Sequence, residues 1–234
     1  MDITFFSHQP FDTIKTNYIY RTHLLRLKQS KLPATFPTFG THAIQSFKEI
    51  FIKHNTPFAL HGAAIAHNSR AHLFLAPTTA GKTTLTSYLV ARGFDYITDD
   101  CILLDWDNFT VHPNITPLHL REGSLNVLKH YDALPPSLDF IDDPAYPRYT
   151  YTPANCITGP LPLGTIYFIT RIEDGNRLEE MSGTEKLQAL LKSPIQEYPL
   201  NSDYLRTIAR LSRFPCYRLF YNDMDYVAEV IRNG

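Results

Sequence analysis

The sequence predicts an α/β domain built around a phosphate-binding loop. Three observations carry this. The apolar run Ala71-His72-Leu73-Phe74-Leu75 leads through Ala76-Pro77-Thr78-Thr79-Ala80-Gly81 into the helical stretch KTTLTSYLVAR, so a strand, a tight loop and a helix follow one another. A second apolar run, 58–66, lies just upstream, and a third, 94–98, just downstream delivers the pair Asp99-Asp100. Hydrophobic residues make up 44% and aromatics 13% of the 234 residues, enough apolar side chain for a substantial core and too much for extensive disorder.

Charge and cysteine usage narrow the function classes. A net charge of -1, with Lys+Arg 22 nearly cancelling Asp+Glu 23, argues against a surface built for nucleic acid. No run approaches the roughly 20 apolar residues that span a bilayer. The opening MDITFFSHQP carries an acid and no basic stretch before an apolar one, so a secretory signal is not expected. Three cysteines at wide spacing, Cys101, Cys156 and Cys216, suggest neither a disulfide framework nor a zinc site. A cytoplasmic location is the expectation.

The elements can be taken in order. Residues 1–55 read as a small extension. Its first part is β-rich and basic, with Arg21, Arg26, Lys28 and Lys31, and residues 42–54 follow a helical period through Ile44, Phe47, Ile50 and Phe51. Residues 56–234 read as the second unit. Residues 58–66 form one buried strand, 67–70 a turn and 71–75 the next strand. The helix opening at Lys82 stops at Gly93, which suits a helix end. Residues 94–98, 101–104 and 110–120 read as strands, the last two regions as a meander. Residues 133–160, rich in Pro, Asp and Tyr, show no clear period and read as a long loop. Gly164 to Thr170 is a strong strand. Ser182 and Glu185 form a capping box for a helix over 183–192. Ser202 caps a helix over 203–213, residues 216–221 form a strand, and Asn222 or Asp223 caps a last helix.

The loop carries the chemistry. Residues 76–83 fit the P-loop pattern with Ala76 in place of its first glycine. Backbone N–H groups at the start of a helix, together with the helix dipole, stabilise phosphate charge. Nucleotide binding is therefore assigned to Ala76, Pro77, Thr78, Thr79, Ala80, Gly81, Lys82, Thr83 and Thr84. Lys82 adds a point charge for the β- and γ-phosphates, and the Thr83 hydroxyl is the right length to bind Mg²⁺. The alternative is a plain helix cap made by Thr78 or Thr79. Thr79 stands where many such loops place glycine, so the loop must either avoid a positive φ there or bear strain.

Asp99 and Asp100 end a strand that follows the loop's helix. Two adjacent carboxylates are costly unless a cation or substrate separates their charges. One suits Mg²⁺, and the other can accept a hydroxyl proton; the alternative is a solvated turn. His61 precedes Gly62, which permits close backbone approach beside the loop's strand. This gives His61 an active-site role against the usual structural one. The remaining histidines show no ligand spacing.

Together, His61-Gly62, Lys82-Thr83, Arg92-Gly93 and Asp99-Asp100-Cys101 resemble the catalytic domain of bacterial HPr kinase/phosphorylase, over about residues 56–130. Residues 216–221 and the acid-capped helix after them are similar to HPr-kinase-like proteins of peptide-modification clusters. The resemblance implies a P-loop fold of the phosphoenolpyruvate-carboxykinase and HPr-kinase type, a sheet with flanking helices. It also implies Asp100 as proton acceptor, Lys82 as phosphate ligand, His61 as the residue that orients Asp100, and Thr83 with Asp99 as metal ligands. Arg121 would keep a phosphate or substrate role. His119 stands where the family's signature has a metal-binding glutamate, which argues against its phosphorylase reaction and against HPr as acceptor.

The expectation is a kinase using ATP and Mg²⁺ that phosphorylates a hydroxyl, a serine by the resemblance, of a peptide or small protein. Homo-oligomerisation stays open, and no nucleic acid or membrane partner is expected. Two other readings use the same residues: a nucleotide-gated module that binds a peptide without phosphorylating it, and a kinase of a small molecule such as free serine.

Overall fold

The computed structural model describes residues 58–143, 146–194 and 201–234. The expectations for residues 1–55 lie outside them. The described part is α/β, with twelve strands and five helices. The strands are β1 (Phe58–Leu60), β2 (Gly62–His67), β3 (Arg70–Leu75), β4 (Asp95–Thr98), β5 (Ile102–Leu104) and β6 (Thr110–His112). They continue with β7 (Leu118–Leu120), β8 (Asp139–Ile141), β9 (Arg148–Tyr151), β10 (Leu161–Arg171), β11 (Arg177–Glu180) and β12 (Cys216–Tyr221). The helices are α1 (Lys82–Ala91), α2 (Glu122–His130), α3 (Gly183–Leu191), α4 (Ser202–Leu211) and α5 (Met224–Asn233).

The middle of the large sheet is β12-β10-β3-β2-β4. Strand β10 runs parallel to both β3 and β12, while β2 is antiparallel to β3 and to β4. The parallel strands are apolar on both faces, as strands covered on two sides must be. Leu73 and Leu75 of β3, with Ile166 of β10, enter one core beside Ile208 and Leu211 of α4. Phe74, Tyr167 and Ile169 enter the other, beside Leu85 and Leu89 of α1 and Val227 and Ile231 of α5. The sheet thus lies between two helical layers, and β3 delivers the loop at its carboxyl end.

The expected single strand 58–66 is two. The chain changes partner at His61: β1 pairs with β5, and β2 with β3. Gly62 makes the change possible. A Cβ there would lie 2.6 Å from the Phe74 carbonyl oxygen and under 3 Å from Leu75 and Ile102 side-chain atoms. Only glycine lets β2 close on β3 immediately after the histidine.

Other expectations need correction. Helix α2, over Glu122–His130, is not among the elements the sequence predicts; it forms with Leu128 buried and Lys129 and His130 in its last turn. The region 133–160 is not one loop: β8 and β9 fall within it and join β7 in a separate three-stranded sheet, order β7-β9-β8. Residues 110–120 do not form one meander, because only β6 pairs with β5 and β7 leaves for that small sheet. Strand β11 went unread; its exposed, charged residues give no apolar alternation. The cap of α4 is Asn201, whose side chain accepts from the Tyr204 N–H, rather than Ser202. The Ser182–Glu185 capping box and the Asp223 cap of α5 are present.

Candidate functional site

The loop 76–81 leaves β3 and turns into α1 at Gly81, whose φ of 88° is left-handed. That region suits glycine, and Leu85 N–H closes the first helical turn on the Gly81 carbonyl at 3.0 Å. Thr79 has φ 69°. For a β-branched residue this is a genuine outlier, so the loop bears strain rather than avoiding it. Pro77, Thr78 and Thr79 are exposed, with their loop open to solvent.

Lys82 is buried and turned into the loop. Its Nζ donates to the carbonyls of Ala76 at 2.8 Å and Pro77 at 3.0 Å, and to His61 Nε2 at 3.2 Å. An ammonium has three protons, so all are engaged. Burial lowers its pKa, while Asp100 and Asp99 oppose the shift. The His61 ring also contacts the Asp100 backbone carbonyl through Nδ1 at 3.2 Å. A carbonyl only accepts and an ammonium only donates. His61 is therefore neutral here, with its proton on Nδ1 and its lone pair on Nε2 toward Lys82.

The two carboxylates part company at the strand end. Asp99 is buried, and its Oδ2 accepts from Thr83 Oγ1 at 2.8 Å. Asp100 is exposed, with φ 69°. The left-handed turn at Asp100 sends one acid inward to the loop and the other to solvent, yet the two charges still repel. Burial, and next the charge of Asp100, push the Asp99 pKa up to about 7; the Thr83 hydroxyl pulls the other way.

Asp99 Oδ1 is buried and has no hydrogen-bond partner. An orphaned, negatively charged oxygen beside a threonine hydroxyl fits a hard divalent cation such as Mg²⁺. Among the described residues no group of three or more His, Cys, Asp or Glu side chains is placed to hold a metal. A cation at Thr83 and Asp99 would draw its other ligands from phosphate and water, as Mg²⁺ does beside nucleotides.

Two further contacts were not read from the sequence. Thr84 Oγ1 donates to Ser124 Oγ at 2.8 Å, tying α1 to the start of α2, and Ser87 Oγ and Tyr151 Oη share a hydrogen bond of 2.7 Å. Both attach the small sheet and α2 to the loop's helix. Leu125 and Leu128, one helical turn apart ahead of Lys129 and His130, were the available signal for α2. Arg121 precedes α2, and its guanidinium lies 4.2 Å from the centre of the Tyr146 ring. His119 is exposed on β7. The structure therefore brings His61, Lys82, Thr83, Asp99 and Asp100 together at the loop, and stacks Arg121 on Tyr146 beside α2.

No protein-family profile matches the chain. No curated protein matches it. Among solved structures it is similar to the Hpr(Ser) kinase/phosphatase from Coxiella burnetii, with 10% identity and a TM-score of 0.37, covering 75% of this chain and 94% of that one.

Proposed function

We propose that this chain is a P-loop kinase that transfers the γ-phosphoryl group of ATP to a hydroxyl, a serine of a peptide or small protein. One observation carries the reading: the buried Lys82 is bonded to the loop carbonyls and to His61, while His61 holds the backbone of Asp100. Phosphate ligand and candidate base are thus connected through a single imidazole. A merely structural helix cap requires none of these groups.

Each residue then has a task. The backbone N–H groups at the start of α1 bind the phosphates. Lys82 exchanges its carbonyl partners for phosphate oxygens, which accept its protons more strongly because they are charged. Asp100, exposed at the mouth of the site, takes the proton of the attacking hydroxyl. His61 keeps the Asp100 turn in place through the backbone carbonyl, so its part is positioning. Thr83 and Asp99 would hold Mg²⁺, which when bound offsets the negative charge of the phosphates.

The test is transfer from γ-labelled ATP to serine-containing peptides and to free serine. Asp100→Asn should lose roughly 10²–10⁴ in rate, the usual worth of a general base, while ATP binding survives. His61→Ala should lose less. Retained turnover in Asp100→Asn with loss in Asp99→Asn would exchange the two assignments. No transfer by the wild type to any acceptor would bring forward the nucleotide-gated binding module.

A further inference from the structure

The small sheet ends in an unfinished apolar row. Residues Leu120, Tyr149 and Phe140 stand opposite one another across β7, β9 and β8. Directly opposed residues share a face of a sheet. Their burial falls along the row: Leu120 is fully buried, Tyr149 is half-buried, and Phe140 is 55% exposed. The Phe140 ring lies 5.0 Å from that of Tyr149, so it extends the core outward instead of folding back onto it. Among the described residues β8 pairs only with β9, and a strand edge without a neighbour is a template for another strand.

The exposed charge on and just after β8 is acidic. Asp139 and Asp142 are exposed, while Asp143 is paired with Arg148 of β9 at 3.6 Å. Asp139 stands opposite Thr150 and His119, on the face away from Phe140. The edge is also continuous with the candidate active site. Tyr146 bonds back to the Asp143 carbonyl at 2.9 Å, lies under Arg121, and Arg121 opens α2, which Ser124 joins to Thr84 of the loop's helix.

We infer that the β8 edge docks an extended, cationic segment of the phosphoryl acceptor as an added strand, with an apolar side chain beside Phe140 and a basic one beside Asp139. This rests on the kinase reading and names its substrate class: a peptide with alternating basic and apolar residues near the acceptor hydroxyl. Backbone hydrogen bonds supply affinity in such an arrangement, and the two side-chain positions supply selectivity. A free amino acid has no strand to add.

The experiment measures binding of fluorescent peptides to the full chain by polarisation, without nucleotide. One peptide alternates lysine and leucine around a central serine, one has the same composition scrambled, and one carries glutamate in place of lysine. The alternating cationic peptide should bind, with the other two at least tenfold weaker. Phe140→Glu should weaken it tenfold or more. Asp139→Lys should reverse the preference to the glutamate peptide. Both side chains are exposed, and an unchanged circular dichroism spectrum shows that the fold is kept. Equal binding of the alternating and scrambled peptides, indifference to both substitutions, or no binding by the full chain overturns the inference. So does a wild-type dimer by light scattering that Phe140→Glu converts to monomer, because the edge would then serve a second copy. A chain that binds the peptide but never phosphorylates it sinks the kinase reading and keeps the docking edge; phosphorylation untouched by either substitution does the reverse.

Discussion

The Thr83 hydroxyl spends its proton on Asp99 Oδ2 at 2.8 Å, leaving Asp99 Oδ1 buried and partnerless behind the loop. The site is therefore built around a carboxylate that is uncomfortable when charged, and that discomfort is measurable.

Asp99 should make the free protein weaker in alkali. Its folded pKa, about 7, lies above the usual value near 3.8. Its contribution is thus fully present below about 3.8 and lost as pH rises through 7. The upper bound is about 4 kcal/mol by linkage, at 1.36 kcal/mol per unit. Asp99→Asn should raise the melting temperature at pH 8. Mg²⁺ with ATP should raise that of the wild type further and leave Asp99→Asn nearly unmoved. Equal stabilisation of both would place the cation elsewhere.

Lys82→Ala should weaken ATP by roughly 10- to 150-fold, the worth of one charge-assisted hydrogen bond set at 1.5–3 kcal/mol. Titration calorimetry reads it directly. Unchanged affinity would mean that the nucleotide does not use this loop.

Relieving the loop should stabilise the fold. Thr79 holds φ 69° without being glycine. The left-handed region costs a β-branched residue about 1–2 kcal/mol, while glycine gives back roughly 0.5–1 through the entropy of the unfolded chain. Thr79→Gly should gain about 0.5–1 kcal/mol in urea unfolding. A loss would show that the threonine side chain holds the loop in a way its backbone angle does not reveal.

His72 should set acid sensitivity. It is buried, its Nδ1 has no partner, and burial, helped by His67, lowers its pKa to about 4. The unfolded chain takes up this proton first. The stability is therefore whole above about 6.5 and declines as pH falls toward 4, by about 3 kcal/mol at most. His72→Phe should flatten the urea midpoint between pH 6.5 and 4, and an unaltered slope would assign acid unfolding to other groups.

The sequence was most legible where local chemistry and periodicity agree. The strand at 71–75, one residue short of β3 as it forms, the glycine at 81 and the helix from Lys82 declare themselves because an apolar run, a tight loop and a helical period follow one another without a break. The adjacency of Asp99 and Asp100 was visible, but their opposite orientations were not, since those follow from a single left-handed residue. The partner switch at His61 was hidden inside an unbroken apolar run; only the crowding at Gly62 reveals it. Strands β8 and β9 escaped because Asp139, Phe140 and Ile141 are too few for a period, and their pairing with β7 is a tertiary fact.

The pairing of β3 with β10 has a consequence for biogenesis. The strand that leads into the loop 76–81 is complete at residue 75, yet one of its two neighbours ends at residue 171, and the strand beyond that closes only at 221. Such non-local pairing is slow, because the intervening chain must be closed before any contact rewards it. During synthesis the loop's strand therefore waits with one flank bare, through the production of roughly a hundred residues. A ribosome-held chain ending before β10 should capture no nucleotide, however intact its loop and helix, and should depend on chaperones to keep that flank from pairing with strangers.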